Sequence, residues 1–151
     1  MGPPLAEPIG FQLARTAKIV SRAFDDALVE AGGSRPTWLV LASLKARPEG
    51  MQRELAAVAG IEGPTLTHHL NRMENDGLVR RSRDPQNRRA HRVELTEDGD
   101  ATFVRLRRSV AAFDRRLRKG LSDVEIALLA ELLARLRLNV GVEGGPSEVT
   151  S

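Results

Sequence analysis

Residues 53–81 read RELAAVAGIEGPTLTHHLNRMENDGLVRR, and this stretch decides the fold. A short helix is predicted from Gln52 to Ala59, with Leu55, Val58 and Ala59 turned inward, and Gly60 stops it. Pro64 stands where the first turn of a second helix belongs, because a helix-opening residue needs no backbone N–H partner. From Thr65 onward, Leu66, Leu70 and Met73 recur at the spacing of one helical face, and Gly77 marks the end. Two short helices joined by a glycine-containing turn make a helix-turn-helix. The face opposite the apolar one holds Thr65, Thr67, His68, Asn71 and Arg72, all able to hydrogen-bond base edges or phosphates. His69 falls on the flank, where packing is the simpler role.

The next residues continue the pattern. Leu78 to Arg81 reads as a short strand, Asp84-Pro85-Gln86-Asn87 as a turn, and the alternating His91 to Leu95 as the returning strand. This hairpin gathers Arg80, Arg81, Arg83, Arg88, Arg89 and Arg92. Arginines at the tip of a thin hairpin suit a minor groove, where a narrow groove concentrates negative potential. A merely solvated charged hairpin is the competing reading. Its position directly after a helix-turn-helix favours the DNA reading.

Outward from this core, residues 1–8 are Pro-rich and expected to be disordered, and so is the Gly/Ser-rich tail 141–151. Ile9, Leu13, Ala17, Val20, Phe24 and Leu28 define one stripe of a first helix, ended by Ala31-Gly32-Gly33. Ser34 and Pro36 open a second helix that is apolar on nearly all sides to about Ala46, as for a buried element. Thr96 caps a later helix with the stripe Phe103, Leu106, Val110, Phe113 and Leu117. Ser122-Asp-Val-Glu125 is a capping box that opens a last helix carrying Ile126, Leu129, Leu132, Leu133 and Leu136. The predicted fold is mainly α with a small β-hairpin. A winged helix-turn-helix domain, 34–96, is flanked by N- and C-terminal helical segments, 9–33 and 97–140.

Composition narrows the function. Of 151 residues, 23 are Lys or Arg and 20 are Asp or Glu, a net charge of +3 that says little, so the clustering of Arg carries the argument. With no cysteine, disulfides, thiol redox sensing and Cys-ligated metals are excluded. His68, His69 and His91 lack metal-ligand spacing, and no cofactor is expected. With no Tyr and four Phe, a stacking platform for single strands is disfavoured. The chain shows no long apolar run and no signal-peptide pattern, so no membrane role and a cytoplasmic location are expected. No phosphate loop, nucleophile elbow or paired catalytic carboxylates are recognisable, so an enzyme is not expected.

Residues 53–81, together with DPQNRRAHRVELTEDG at 84–99, resemble the multiple-antibiotic-resistance regulator (MarR) family. Trp38 and the run Gly60-Ile61-Glu62-Gly63-Pro64 look closest to its SlyA branch. The resemblance implies a homodimer in which the first helix and the last two make the dimer interface. Each recognition helix would enter a major groove and each wing a flanking minor groove of a palindromic operator, with half-sites about 10 bp apart. The C-terminal leucine stripe independently suits such an interface, although an intramolecular core would read the same.

By the same resemblance, Asn87 and Arg89 occupy the family's Asp-x-Arg wing motif. The arginine is kept and the aspartate is not, which implies a looser wing unless Asp84 substitutes. His68 stands where the SlyA branch places a DNA-contacting arginine. A protonated imidazole donates two hydrogen bonds and a neutral one donates one, so DNA binding is expected to strengthen as pH falls. A pocket for a small aromatic or phenolic effector would involve Arg15, Lys18, Arg22 and Trp38, although core packing for Trp38 and a solvated face for the bases compete. By analogy the regulator is a repressor. A ligand-independent nucleoid-type DNA binder and a winged-helix protein-interaction module remain as alternatives.

Overall fold

The computed structural model describes residues 6–48, 50–87 and 89–141. The order of elements is α1 (Ile9–Glu30), α2 (Arg35–Ala46), β1 (Gly50–Met51), α3 (Gln52–Ala59), α4 (Gly63–Asn75), β2 (Val79–Arg83), β3 (His91–Leu95), α5 (Glu97–Leu117) and α6 (Asp123–Asn139). The chain forms two compact units, Met1–Phe113 and Asp114–Ser151, with the boundary inside α5.

In the first unit, Leu28, Val40, Leu41, Leu44, Leu55, Leu66, Leu70, Met73, Val79, Val93, Phe103 and Leu106 form one core. Burying each such side chain contributes roughly 1.5–3 kcal/mol, so the helix-turn-helix and its wing share one anchored interior. The Ser34 side chain accepts from the Thr37 N–H at 3.3 Å and starts α2. Gly60, at φ 67°, makes the left-handed turn that separates α3 from α4. The Thr96 hydroxyl accepts from the Gly99 N–H at 3.0 Å and donates to the Gly77 carbonyl, tying the start of α5 to the end of α4.

Several expectations need correction. Val58 is 51% exposed rather than inward, because the buried arc of α3 runs through Leu55 and Ala59 toward Ala56, and Val58 lies on its other side. The first wing strand is Val79–Arg83, which ends two residues beyond the predicted run and leaves Leu78 out. The sheet has a third strand that the sequence did not reveal. In the order β1-β3-β2, Gly50 pairs with Val93 and Met51 with Arg92. Two residues are too few to show periodicity. The α1 stripe is only partly used within this unit: Leu28 is buried, whereas Ile9 is 65% and Leu13 39% exposed.

The second unit carries α6. Ser122 accepts from the Glu125 N–H at 3.1 Å, and its hydroxyl donates to the Glu125 carboxylate at 3.2 Å. Of the expected capping box this is the half in which the serine serves the helix. None of the described α6 residues is buried, and Val124, Leu128, Leu129, Leu132 and Leu138 are exposed. Among the described residues no helix is long and apolar enough to cross a membrane.

Candidate nucleic-acid interface

The periodicity of α4 sorts its side chains. Leu66, Leu70 and Met73 enter the core, and Thr65, Thr67, His68, Asn71 and Arg72 are all exposed on the other faces. His69 is half-buried on the flank, with its ring 5.8 Å from that of His68 in an edge arrangement. The first turn of α4 holds no acidic residue, and the side chain of its N-cap residue, Glu62, makes no capping hydrogen bond. A helix start in that state carries free donors and partial positive charge, which suit a phosphate.

Two of these side chains are held by neighbours. The Thr67 hydroxyl accepts from Gln52 Nε2 at 2.8 Å and donates to the Gly63 carbonyl at 3.1 Å. Asn71 Oδ1 accepts from Arg81 Nη2. Arg81 therefore turns back onto the recognition helix rather than outward, and only 18% of its side chain is exposed. Glu74 completes the arrangement. Its carboxylate accepts from the Arg81 backbone N–H at 3.1 Å and lies 3.3 Å from Arg81 Nη2. The hydrogen bond from the Arg81 guanidinium holds the Glu74 carboxyl below its ordinary value, against the opposing effect of burial.

Beyond Arg81 the wing is a built turn. Asp84 Oδ1 accepts from the Gln86 N–H at 3.0 Å, and Asn87 Oδ1 accepts from the Arg89 N–H at 3.2 Å. Asn87 thus shapes the backbone under Arg89. Asp84 does not orient Arg89: its ion-pair partner is Arg92, at 3.9 Å. Arg83 and Arg89 are exposed and make no ion pair among the described residues. Arg88 lies outside the described residues. Arg89 and Asn87 border one groove with Gln52, Gly63 and Thr67, which brings the wing tip beside the start of the recognition helix.

The four residues expected to line an effector pocket do not come together. Arg15, Lys18 and Arg22 border a shallow surface depression built from α1 alone, and Trp38 is not part of it. Successive helix residues rotate by about 100°, which puts these three bases on the side of α1 away from Phe24 and Leu28. Trp38 stacks on Phe103 instead, with centroids 5.6 Å apart and planes 5° from parallel. Arg15 is already paired with Glu7 through two contacts of 2.7 Å.

Sequence reasoning passed over Glu74 and Gln52. Glu74 had a legible signal, since it lies one turn beyond Asn71 and close in sequence to the basic wing. Gln52 had none beyond its place at the start of α3. Among the described residues no group of His and carboxylate side chains could hold a metal ion.

The MarR family's sequence profile matches residues 34–91, the segment that contains α2, α3, α4 and β2. The transcriptional repressor CouR, solved bound to a 23-mer DNA duplex, is 32% identical to the chain. The alignment covers 87% of this chain and 94% of CouR, with a TM-score of 0.78. The chain belongs to the MarR family. A MarR-family regulator from Rhodococcus sp. RHA1 is 28% identical over 91% of this chain and 98% of its own, with a TM-score of 0.73. PcaV from Streptomyces coelicolor, solved in complex with its natural ligand, is 23% identical over 89% and 98%, with a TM-score of 0.76, and shares the fold. These matches concern the MarR family as a whole and do not single out the SlyA branch. MarR members are transcriptional regulators, and the exposed polar face of α4 with the basic hairpin beside it is the winged helix of that family.

Proposed function

We propose that this MarR-family regulator is a homodimeric, sequence-specific repressor that works in the cytoplasm on a palindromic operator. In this reading α4 enters the major groove and offers Thr65, Thr67, His68, Asn71 and Arg72. The wing reaches the flanking minor groove with Arg83, Arg88 and Arg89. Arg81 contributes from the wing root, chiefly by orienting Asn71. The observation that carries the reading is the single groove shared by Arg89, Thr67 and the uncapped start of α4. It sets a minor-groove cation beside a major-groove reading face. The exposed apolar side chains of α1 and, separately, of α6 are the surfaces for a second copy. The 9–33 and 97–140 segments are accordingly the dimerisation region of the chain.

For an effector, the open basic face of α1 is the better starting point than Trp38. Lys18 and Arg22, beside the Glu7-paired Arg15, present cations to a small aromatic or phenolic acid without any rearrangement of the Trp38–Phe103 stack.

Fluorescence anisotropy with the DNA upstream of the protein's own gene, against random duplex, over a salt series tests the reading. Tight binding to the upstream DNA, weaker binding to random duplex and a steep salt dependence are expected. Equal binding to both at every salt concentration would replace the repressor by a nucleoid-type binder.

A further inference from the structure

We propose that Gln52 is a positioning residue that sets which bases the recognition helix accepts, by fixing the hydroxyl of Thr67. The inference rests on the reading of α4 as the helix that enters the major groove.

Gln52 is the first residue of α3 and directly follows β1, whose Met51 pairs with Arg92 in the sheet. Its backbone is therefore held on the wing sheet while its side chain reaches across to α4. Gln52 Nε2 donates to Thr67 Oγ1 at 2.8 Å, and Thr67 Oγ1 donates to the Gly63 carbonyl at 3.1 Å. A hydroxyl has one proton and two lone pairs. The proton is committed to Gly63 and one lone pair to Gln52, which leaves one lone pair and the methyl group.

That remainder reads DNA in one sense only. A lone pair accepts from the exocyclic amine of adenine or cytosine, and a methyl packs on the methyl of thymine. The N7 and O6 atoms of guanine ask for a donor, which the clamped hydroxyl does not offer. In a helix an unclamped threonine divides between two rotamers because its oxygen bonds the carbonyl one turn back. Gln52 removes that freedom and turns an ambivalent hydroxyl into an acceptor.

The other end of the amide supports a role outside folding. Gln52 Oε1 is enclosed and accepts no hydrogen bond from the described residues. A buried acceptor left unmatched weakens the folded state, so this end of the amide contributes nothing to stability. The clamp also borders the groove shared by the wing tip and α4, where DNA is expected.

The test uses the full-length chain and selection of bound duplexes from a randomised pool. Wild type, Gln52→Leu, Thr67→Val and the double variant are compared, with Gln52→Met as a second removal of the amide and thermal melting as a control. The wild type is expected to enrich a site with one position per half-site that excludes guanine. Gln52→Leu should admit guanine there by roughly tenfold, leave the other positions unchanged and melt no lower than wild type. Thr67→Val should alter the same position, and the double variant should match Thr67→Val. An unchanged preference in both Gln52 variants overturns the proposal. So do additive effects, or a lower melting point with preference intact. A wild type that enriches no sequence at all would instead remove the major-groove reading, and the inference with it.

Discussion

Glu74 on the recognition helix and Arg81 at the root of the wing are joined both through the backbone and through the side chain. The carboxylate accepts from the Arg81 backbone N–H at 3.1 Å and from its Nε at 3.4 Å, and Arg81 Nη2 reaches on to Asn71. One acidic residue thus ties the wing to α4 and, through Arg81, helps orient the Asn71 amide on the exposed face of that helix.

Because the Arg81 hydrogen bond lowers the Glu74 carboxyl, the folded state holds its proton less tightly than the unfolded chain. The stability this contributes is complete above the ordinary carboxylate range. It is lost as pH falls through the lowered folded value. Glu74→Gln should therefore be less stable than wild type near neutrality, and the difference should disappear in acid. The effect is modest, since the Glu74 side chain is 41% exposed and solvent screens the pair. Denaturant melts of both proteins across a pH series check it. A gap that widens in acid would contradict the assignment.

The same substitution should raise affinity for random duplex. Removing the carboxylate releases Arg81 and deletes a negative charge close to phosphate. The logarithmic salt slope should steepen by up to about one, measured by anisotropy.

Arg89→Ala should weaken binding to every sequence and flatten the salt slope by about one, as expected when one cation leaves the groove or the phosphate backbone. His68→Ala should instead change base preference, by about 1–3 kcal/mol for each base that the helix no longer reads. Equal weakening on specific and random DNA in both variants would mean that α4 does not read bases.

Gly99→Ala should destabilise the fold by at least ~2 kcal/mol through overpacking. A Cβ at this position would sit 2.0 Å from the Leu78 carbonyl oxygen, a backbone atom with no rotamer to escape into. Calorimetry reads the change, and a melting point equal to wild type would show that α5 can shift.

Leu129→Lys with Leu132→Lys should convert a dimer into a monomer without unfolding it, because these side chains are 47% and 42% exposed in the single chain. Sedimentation, with circular dichroism as a control for folding, distinguishes this from loss of an internal core. Monomers should also bind the operator far more weakly, since each half-site would then be bound alone.

The helix-turn-helix was legible because its periodicity and its punctuation agree. Leu66, Leu70 and Met73 mark one face, and Gly60, Pro64 and Gly77 mark the ends, so α4 needed no tertiary information. Val58 misled because, in a helix as short as α3, an apolar residue next to Ala57 and Ala59 fits the pattern at more than one rotation, and the packing of Ala56 against the core shows which one holds. The exposed face of α4 was legible as a set of polar residues. Its hydrogen-bond wiring was not, because Gln52 meets Thr67 across 15 positions of chain and Arg81 meets Asn71 across 10. For a similar reason the sequence did not show that Trp38 lies apart from Arg15, Lys18 and Arg22. Trp38 and Arg15 look like partners in composition, but the stacking of Trp38 on Phe103 is a long-range contact that no local pattern announces.

The two-residue strand β1 has a mechanical result. It laces the chain just ahead of α3 onto the middle of β3, which braces the base of the hairpin on the side opposite β2. In the proposed DNA complex, the spacing between the groove for α4 and the groove for Arg89 would then be a fixed ruler. An operator lengthened by one base pair between those two points should forfeit one of them outright, because the wing cannot swing to follow it.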